Sequence, residues 1–360
     1  MKVVIAGGGT GGHLFPAIAV GAEIRRQDAV SKVLYVGATN GLEARWLPRQ
    51  GLPHELLRVR GWTGKGPLTR LRAIGEFAAA VQRALTILRD AHANLVVGAG
   101  GYASAPVALA AVLLRTPLIL LEQNVRPGMS NRILWRMARK VCVGFPDSAA
   151  AFPASKVVVT GNPVRYTVHP RRLAAASEPL QILVLGGSSG AHRLNIGVLK
   201  AFRIWAKGVI KLTHQTGDAD VGMVQEGYRE LGRSATVVPF IEDIGAALGA
   251  ADLIIARSGA NSVTDVAIAG RPAIFVPYPF HRDRQQELNA QVIARRGGAR
   301  IVLDDEQLGA NLAKTLEELT ADRACLRAMG ERSASLAMPH AAQKIASLCV
   351  AIARGEEHSG

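Results

Sequence analysis

Met1–Val20 reads MKVVIAGGGTGGHLFPAIAV, and its order is strand, glycine loop, helix. Val3, Val4, Ile5 and Ala6 form the short apolar run of a strand buried on both faces of a parallel sheet. From Gly7 to Gly12 the backbone is bare except at Thr10, and His13 follows directly. Leu14 to Glu23 then continues as a helix. Gly7, Gly9 and Gly12 satisfy G-x-G-x-x-G, in which missing Cβ atoms let amides and a helix N-terminus approach a pyrophosphate. That pattern is short and common, so the rest of the chain must choose among the phosphate cradles that share it.

A nicotinamide or flavin site needs an Asp or Glu closing the second strand to hold the ribose. The second strand, KVLYV at 32–36, runs out into Gly37-Ala38-Thr39-Asn40 without an acid. A Walker loop ends in Gly-Lys-Ser/Thr, whereas this one ends Gly12-His13, which excludes ordinary P-loop chemistry.

The chain has 360 residues, so two domains are expected at about 100–200 residues each. No apolar run approaches the roughly 18 residues of a membrane span: Ala103–Leu114 is broken by Pro106 and closed by Arg115-Thr116-Pro117. The first apolar stretch ends at Gly7, too early for a signal peptide, and a cytoplasmic protein is expected. Cys142, Cys325 and Cys349 are odd in number and far apart, which predicts reduced thiols and no zinc site. The formal charge of +15 points to a polyanionic substrate, an anionic membrane surface or nucleic acid. The basic residues are dispersed and aromatics are scarce, so nucleic acid ranks last.

Short apolar runs alternate with amphipathic stretches throughout, the pattern of doubly wound α/β sheets. Strands are predicted at 2–6, 32–36, 55–59, 95–98, 118–121, 141–143 and 156–160, then at 181–185, 209–213, 236–238, 252–255, 273–276 and 300–302. Gly161-Asn162-Pro163 interrupts the series and sets the expected boundary, giving domains 1–163 and 164–338. The second half begins as the first does, since VLGGSSGAHRL at 184–194 repeats the order of IAGGGTGGHLF at 5–15. Two Rossmann-like domains with glycine loops facing across a cleft are therefore expected. Helices near 323–337 and 340–354 part at Met338-Pro339, and the last is expected to join the first domain over 339–360.

Further polar stretches fall at predicted strand ends, the rim where open α/β sheets bind ligands. They are Gly100-Gly101-Tyr102, Glu122-Gln123-Asn124, Gly161-Asn162-Pro163-Val164-Arg165, Arg257-Ser258-Gly259-Ala260 and Asp283-Arg284-Gln285-Gln286. With GGTGGH and GGS-x-GA they form an ordered set over nearly the whole chain that closely resembles the MurG family of GT-B glycosyltransferases. These enzymes transfer N-acetylglucosamine from UDP-N-acetylglucosamine to lipid I in peptidoglycan synthesis.

The resemblance implies an N-terminal domain for the lipid acceptor and a C-terminal domain for the nucleotide sugar. It places Thr10, Gly11, Gly12 and His13 near the donor sugar and acceptor, with Tyr102 and Asn124 on the same rim. Arg165 and Ser188 match diphosphate contacts and Ile241 a uracil contact. Arg257 and the run Ala260, Asn261, Ser262, Val263, Thr264 and Asp265 match the segment around the nucleotide, and Gln285 and Gln286 the pair that reads the sugar hydroxyls. The chain departs from the family at Leu121, where His is usual, and at Asp265, where the acid gripping the ribose is commonly Glu.

An inverting transfer to a hydroxyl needs one base, and the UDP leaving group needs charge stabilisation rather than a proton. His13 is the candidate base, with an ordinary imidazole pKa of about 6.5 leaving it able to accept. Glu122 is the second candidate, with a supporting role among loop amides preferred. Helix starts after Gly190 and Gly259, with Arg165, suit the diphosphate, and the resemblance implies no cofactor and no metal.

Trp62, Lys65, Leu68, Arg70, Arg72 and Phe77 mix apolar and basic groups beside a core stripe of Leu71, Ile74, Ala78, Val81, Leu85 and Leu88. They suit anionic headgroups, so peripheral attachment to the cytoplasmic membrane face is the expected reason for the positive charge. UDP-N-acetylglucosamine, lipid I, that membrane surface and other cell-wall synthesis proteins are the expected partners. The rival readings are another UDP-sugar enzyme of the fold, such as a glycolipid synthase or a UDP-N-acetylglucosamine 2-epimerase, and a basic nucleotide- or nucleic-acid-binding module.

Overall fold

The structure is a computed structural model that describes residues 1–59, 67–169, 178–186, 191–205, 210–280 and 283–356, with only the backbone described for 67–72. Trp62, Lys65, Ser188 and Gly190, and the side chains of Leu68, Arg70, Leu71 and Arg72, lie outside the described residues.

The chain divides into two compact units, Met1–Arg165 with Pro339–Gly360, and Tyr166–Met338. In the first, the strands are β1 (Lys2–Ala6), β2 (Lys32–Ala38), β3 (His54–Leu57), β4 (Leu95–Gly98), β5 (Leu118–Glu122), β6 (Lys140–Val143) and β7 (Val157–Val159). They form one parallel sheet in the order β3-β2-β1-β4-β5-β6-β7. The second unit holds β8 (Leu180–Leu185), β9 (Ile210–Gln215), β10 (Ala235–Val238), β11 (Leu253–Ala256), β12 (Ala273–Phe275) and β13 (Ala299–Ile301). Its parallel sheet runs β10-β9-β8-β11-β12-β13, the same winding as the first. The repeated sequence at 5–15 and 184–194 thus reflects two copies of one topology, each starting at the central strand.

The apolar runs become strands because both faces are covered: every residue of β4, β5 and β11 is buried. In the first unit Val4, Val96, Leu118, Leu120 and Val141 face one side of the sheet, against Ala84, Leu88, Val107 and Ala111. Val3, Ile5, Val97, Ile119 and Cys142 face the other, against Leu14, Val20 and Ile24 of helix Gly11–Gln27. The terminal helix Ala341–Ala353 completes that second layer with Ile345, Ala346 and Cys349. Gln27 fixes its register, donating to the Gln343 carbonyl at 3.1 Å and accepting from Ser347 Oγ at 3.1 Å. Burial pushes the Cys142 thiol up to about 12, which suits a packing residue rather than a reactive one.

Helix Pro67–Asp90 buries a different stripe from the one expected. Ala80, Ala84, Ile87 and Leu88 are buried, Val81, Leu85 and Phe77 are half-buried, and Ile74 and Ala78 are exposed. The helix packs on the Ala-rich helix Ser104–Leu113, and small residues at 80 and 84 let the two axes approach closely. The larger Ile74 lies toward the helix start and stays 53% exposed.

Candidate active site

In each sheet the winding reverses beside the central strand, and the loops that leave the two strands there are the ligand rim. In the first unit these are the loops after β1 and β4. Gly7 donates to the Val36 carbonyl of β2 at 3.1 Å, and Gly8 donates to the Gly100 carbonyl at 3.3 Å, a backbone bond that ties the two loops. Gly101 has φ +82, and a Cβ there would lie 2.0 Å from the Gly8 carbonyl oxygen, so both its conformation and its neighbour demand glycine. The expected pyrophosphate approach is thus only part of the reason for the bare backbone: the loops also need it to reach each other.

Helix Gly11–Gln27 starts behind Thr10, whose carbonyl accepts from His13 N at 3.2 Å. His13 is half-buried on the first turn, with Nδ1 3.4 Å from Thr10 Oγ1. Burial lowers its pKa below the ordinary 6.5, and a ring N–H donated to the Gly8 backbone opposes that shift without cancelling it. The imidazole is therefore neutral near pH 7, with one nitrogen protonated and one able to accept. Tyr102 is 51% exposed and its ring edge lies over Gly9. Thr10, Gly12, His13, Tyr102 and the half-buried Asn124 thus all belong to the rim of β1, β4 and β5, while Gly11 is buried.

Glu122, at the end of β5, is buried and saturated by its own loop. It accepts from Asn124 N at 2.9 Å, Gly128 N at 2.8 Å and Asn131 Nδ2 at 2.9 Å. Burial raises its pKa and those hydrogen bonds pull it back. The geometry is that of a loop anchor. Gln123 supports the same loop, donating to the Ala99 carbonyl at 2.8 Å, and Leu121 is a core residue of β5. Arg165 is exposed and belongs to the first unit, where its guanidinium stacks 4.5 Å from the Phe15 ring centroid and 4.9 Å from that of Trp46.

In the second unit the helical period sorts the run from Ala260 to Asp265. Ala260, Val263 and Thr264 are buried, and Thr264 Oγ1 bonds back to the Ala260 carbonyl, whereas Asn261, Ser262 and Asp265 line the accessible face. Asp265 accepts a hydrogen bond from the Tyr166 phenol. Ile241 is held by its backbone N–H, which donates to the buried Gln215 Oε1 at 3.0 Å. Gln286 Oε1 accepts from Tyr278 N at 2.9 Å, and Gln285 opens the helix Gln285–Ala294. Arg257 differs from the expectation of a substrate contact. It is buried, its Nη1 donates to the Val276 and Pro277 carbonyls, and its Nη2 pairs with Asp304 at 2.8 Å. These bonds make Arg257 a strut between the ends of β11 and β12 and the segment after β13. Ser188 lies outside the described residues. Among the described residues no group of His, Cys, Asp and Glu is arranged to hold a metal ion.

Several residues of the rims go unmarked in the sequence reading. Glu43 is fully buried, and its carboxylate accepts from Gly9 N at 2.8 Å and Ala38 N at 2.7 Å. An acid does follow β2, then, but three residues beyond Asn40, and it turns back onto the glycine loop. In the second unit Tyr228, His214, Asn195, Asp220 and His192 form a continuous chain of hydrogen bonds of 2.7–3.1 Å. The HQTG run at 214–217 was the available signal, since a polar pair directly after a predicted strand marks the rim of the sheet.

Comparison with known proteins accounts for both units. Residues 3–143 match the glycosyltransferase family 28 N-terminal domain and residues 181–345 its C-terminal domain. A Geobacter sulfurreducens protein named UDP-N-acetylglucosamine–N-acetylmuramyl-(pentapeptide) pyrophosphoryl-undecaprenol N-acetylglucosamine transferase is 40% identical, over 99% of this chain and 100% of its own. The crystal structure of Acinetobacter baumannii MurG superposes with a TM-score of 0.78 at 34% identity, covering 97% of this chain and 99% of that one. A UDP-GlcNAc 2-epimerase from Neisseria meningitidis has a TM-score of 0.67 at 15% identity over 97% of this chain and 100% of that one, a likeness of fold alone. Matched in both halves and along almost its whole length, the chain belongs to glycosyltransferase family 28 and, within that GT-B family, to the MurG group.

Proposed function

We propose that this chain transfers N-acetylglucosamine, with inversion, from UDP-N-acetylglucosamine to the MurNAc 4-hydroxyl of lipid I, forming lipid II in peptidoglycan synthesis. The observation that carries the mechanism is the neutral, half-buried His13 on the glycine loop at the reversal point of the first sheet. Its unprotonated ring nitrogen accepts the proton of the acceptor hydroxyl as that oxygen attacks the anomeric carbon. Glu122 is the weaker base, because its oxygens already accept from Asn124, Gly128 and Asn131. The bond to UDP breaks with its electrons, and the departing diphosphate is met by first-turn amides of helix Ala260–Ala269, with Arg165 as the candidate cation. Asp265 takes the ribose and Gln285 and Gln286 the sugar hydroxyls, and no metal is assigned a step.

Attachment to an anionic membrane face completes the proposal. No described helix is long and apolar enough to cross a membrane. On the first unit Met129, Ile133 and Met137, spaced four apart, are 68%, 58% and 42% exposed. Beside them Arg126, Arg132, Trp135 and Arg136 line a shallow cavity of about 400 Å³. An apolar ridge flanked by arginines suits acyl chains below and phosphates above. The basic stretch at 62–72 adds to it in sequence, but its side chains lie outside the described residues.

The deciding experiment is a single-turnover reaction of radiolabelled UDP-N-acetylglucosamine with a lipid I analogue. Transfer of label to the acceptor, with UDP released, supports the reading. Epimerised nucleotide sugar without transfer overturns it.

A further inference from the structure

Three candidates lie outside the chemistry described so far. The polar chain from Tyr228 to His192 is internally satisfied, and the arginine-lined cavity is absorbed by the proposed membrane surface. The third is Glu43, which sits under the loop that presents His13.

Glu43 opens the short helix Glu43–Arg49 and is fully buried. One oxygen accepts from Ala38 N at 2.7 Å and Gly9 N at 2.9 Å, and the other from Gly9 N at 2.8 Å. Three glycines crowd its side chain: a Cβ on Gly8, Gly37 or Gly41 would come within 2.1–2.2 Å of it. A carboxyl group so enclosed is tolerated because the N–H groups of Gly9 and Ala38 donate to it. In return it fixes one conformation of Gly8 and Gly9, which have no side chains of their own to hold them. The Gly8 backbone is the group that accepts from the His13 ring. From the same short helix, Trp46 packs edge-on against Phe15, two residues past His13, at a centroid distance of 5.3 Å. The helix Glu43–Arg49 thus braces the base at both ends, through the loop before it and the ring after it.

We infer that Glu43 is a positioning residue for the transfer reaction, acting through Gly8 and Gly9 to hold the His13 ring at the acceptor hydroxyl. It touches neither substrate. The inference rests on His13 as the base, so the two must be able to fail separately. General-base catalysis depends steeply on placement, and a shift of about 1 Å can cost on the order of a hundredfold in rate. Glu43→Gln retains the shape but turns one acceptor oxygen into a donor that faces the N–H of Gly9 or Ala38, and the loop must move away.

The test is a double-mutant cycle on the full chain, comparing wild type, E43Q, H13A and E43Q/H13A for kcat with a lipid I analogue and for UDP affinity by calorimetry. E43Q is expected to lower kcat about tenfold or more with UDP affinity within about twofold, because the nucleotide residues belong to the other unit. In the H13A background the same change is expected to lower kcat by less than about twofold, since no base remains to misplace. A purely structural role predicts instead an equal loss in both backgrounds, and that result overturns the inference. E43Q with wild-type kcat overturns it also. If H13A itself keeps near-normal turnover, the base is wrong and the reading beneath it falls first. Should E43Q not fold, Gly41→Ala decides, because its new methyl takes the carboxylate's space from outside the glycine loop. The same kcat loss with retained UDP binding supports the positioning role, and unchanged kcat overturns it.

Discussion

His13 and Asp265 carry the two roles that single substitutions can separate. Removing a general base lowers turnover by about a hundredfold or more, so His13→Ala is expected to lose kcat with little change in UDP affinity. Because burial lowers the His13 pKa, the acid limb of kcat/KM should fall below the ordinary 6.5, with activity lost as the ring protonates at lower pH. A limb at or above that value would mean a different titrating base. Asp265 is one methylene shorter than Glu and already accepts from the Tyr166 phenol, which orients the carboxylate. A carboxylate accepting from the ribose hydroxyls contributes about 1.5–3 kcal/mol, so Asp265→Ala should raise KM for UDP-N-acetylglucosamine about tenfold or more. Normal UDP binding by that variant would leave Asp265 as no more than the partner of Tyr166. Asp265→Glu separates slack from close fit: tighter binding means the shorter acid falls short of the ribose, and looser binding means its helix already lies close.

At the scale of elements, the segment β9 and its neighbours predict a pH dependence of stability. His214 on β9 is buried between Tyr228 and Asn195, and desolvation pushes its pKa down to about 3, against a small opposing pull from Asp220. The unfolded chain binds this proton near pH 6.5 while the native chain does not, so native stability falls as pH drops below 6.5. The slope approaches about 1.4 kcal/mol per pH unit in that window. His214→Gln retains a donor and an acceptor but cannot ionise. Urea midpoints measured near pH 7.5 and near pH 5 should converge for this variant and separate for wild type. Equal separation in both proteins would assign the acid sensitivity to other groups. Of the three thiols, Cys142 and Cys349 follow the same logic of desolvation, buried in the core that joins the terminal helix to β6, while Cys325 is only half-buried.

For the whole molecule, the charge of +15 and the proposed membrane face make the remaining prediction. Neutralising Arg126, Arg132 and Arg136 together should weaken binding to anionic liposomes, by about 1 kcal/mol per residue, with the difference shrinking as salt rises. Turnover on a short soluble acceptor should hold, because none of the three is assigned to the chemistry. Unchanged liposome binding would move the membrane contact elsewhere, with the basic stretch at 62–72 the next place to test. The neutral vesicle is the control, since the apolar ridge of Met129, Ile133 and Met137 should bind it only weakly without the arginines.

The fold and the first loop were legible in the sequence because they are encoded locally. Apolar runs with turn residues between them define buried parallel strands, and all thirteen expected strands occur, from β1 to β13, within a residue or two of their predicted ends. Bare backbone followed by His13 located the rim, and the ordered motifs named the family. Side-chain roles were legible only where they follow from one element's period, and even there neighbours decided: the buried stripe of helix Pro67–Asp90 moved to Ala80 and Ala84 once its partner helix was fixed. The supporting role of Glu122 was legible because its partners are the amides of its own turn. Glu43 and Arg257 were beyond sequence reasoning, since each is a charged residue whose partner is set by distant packing: a loop amide 34 residues away for Glu43, and Asp304, 47 residues away, for Arg257. Periodicity tells which face is apolar, but the partners of a buried charge are chosen by the packing of distant segments, and only the tertiary structure contains them.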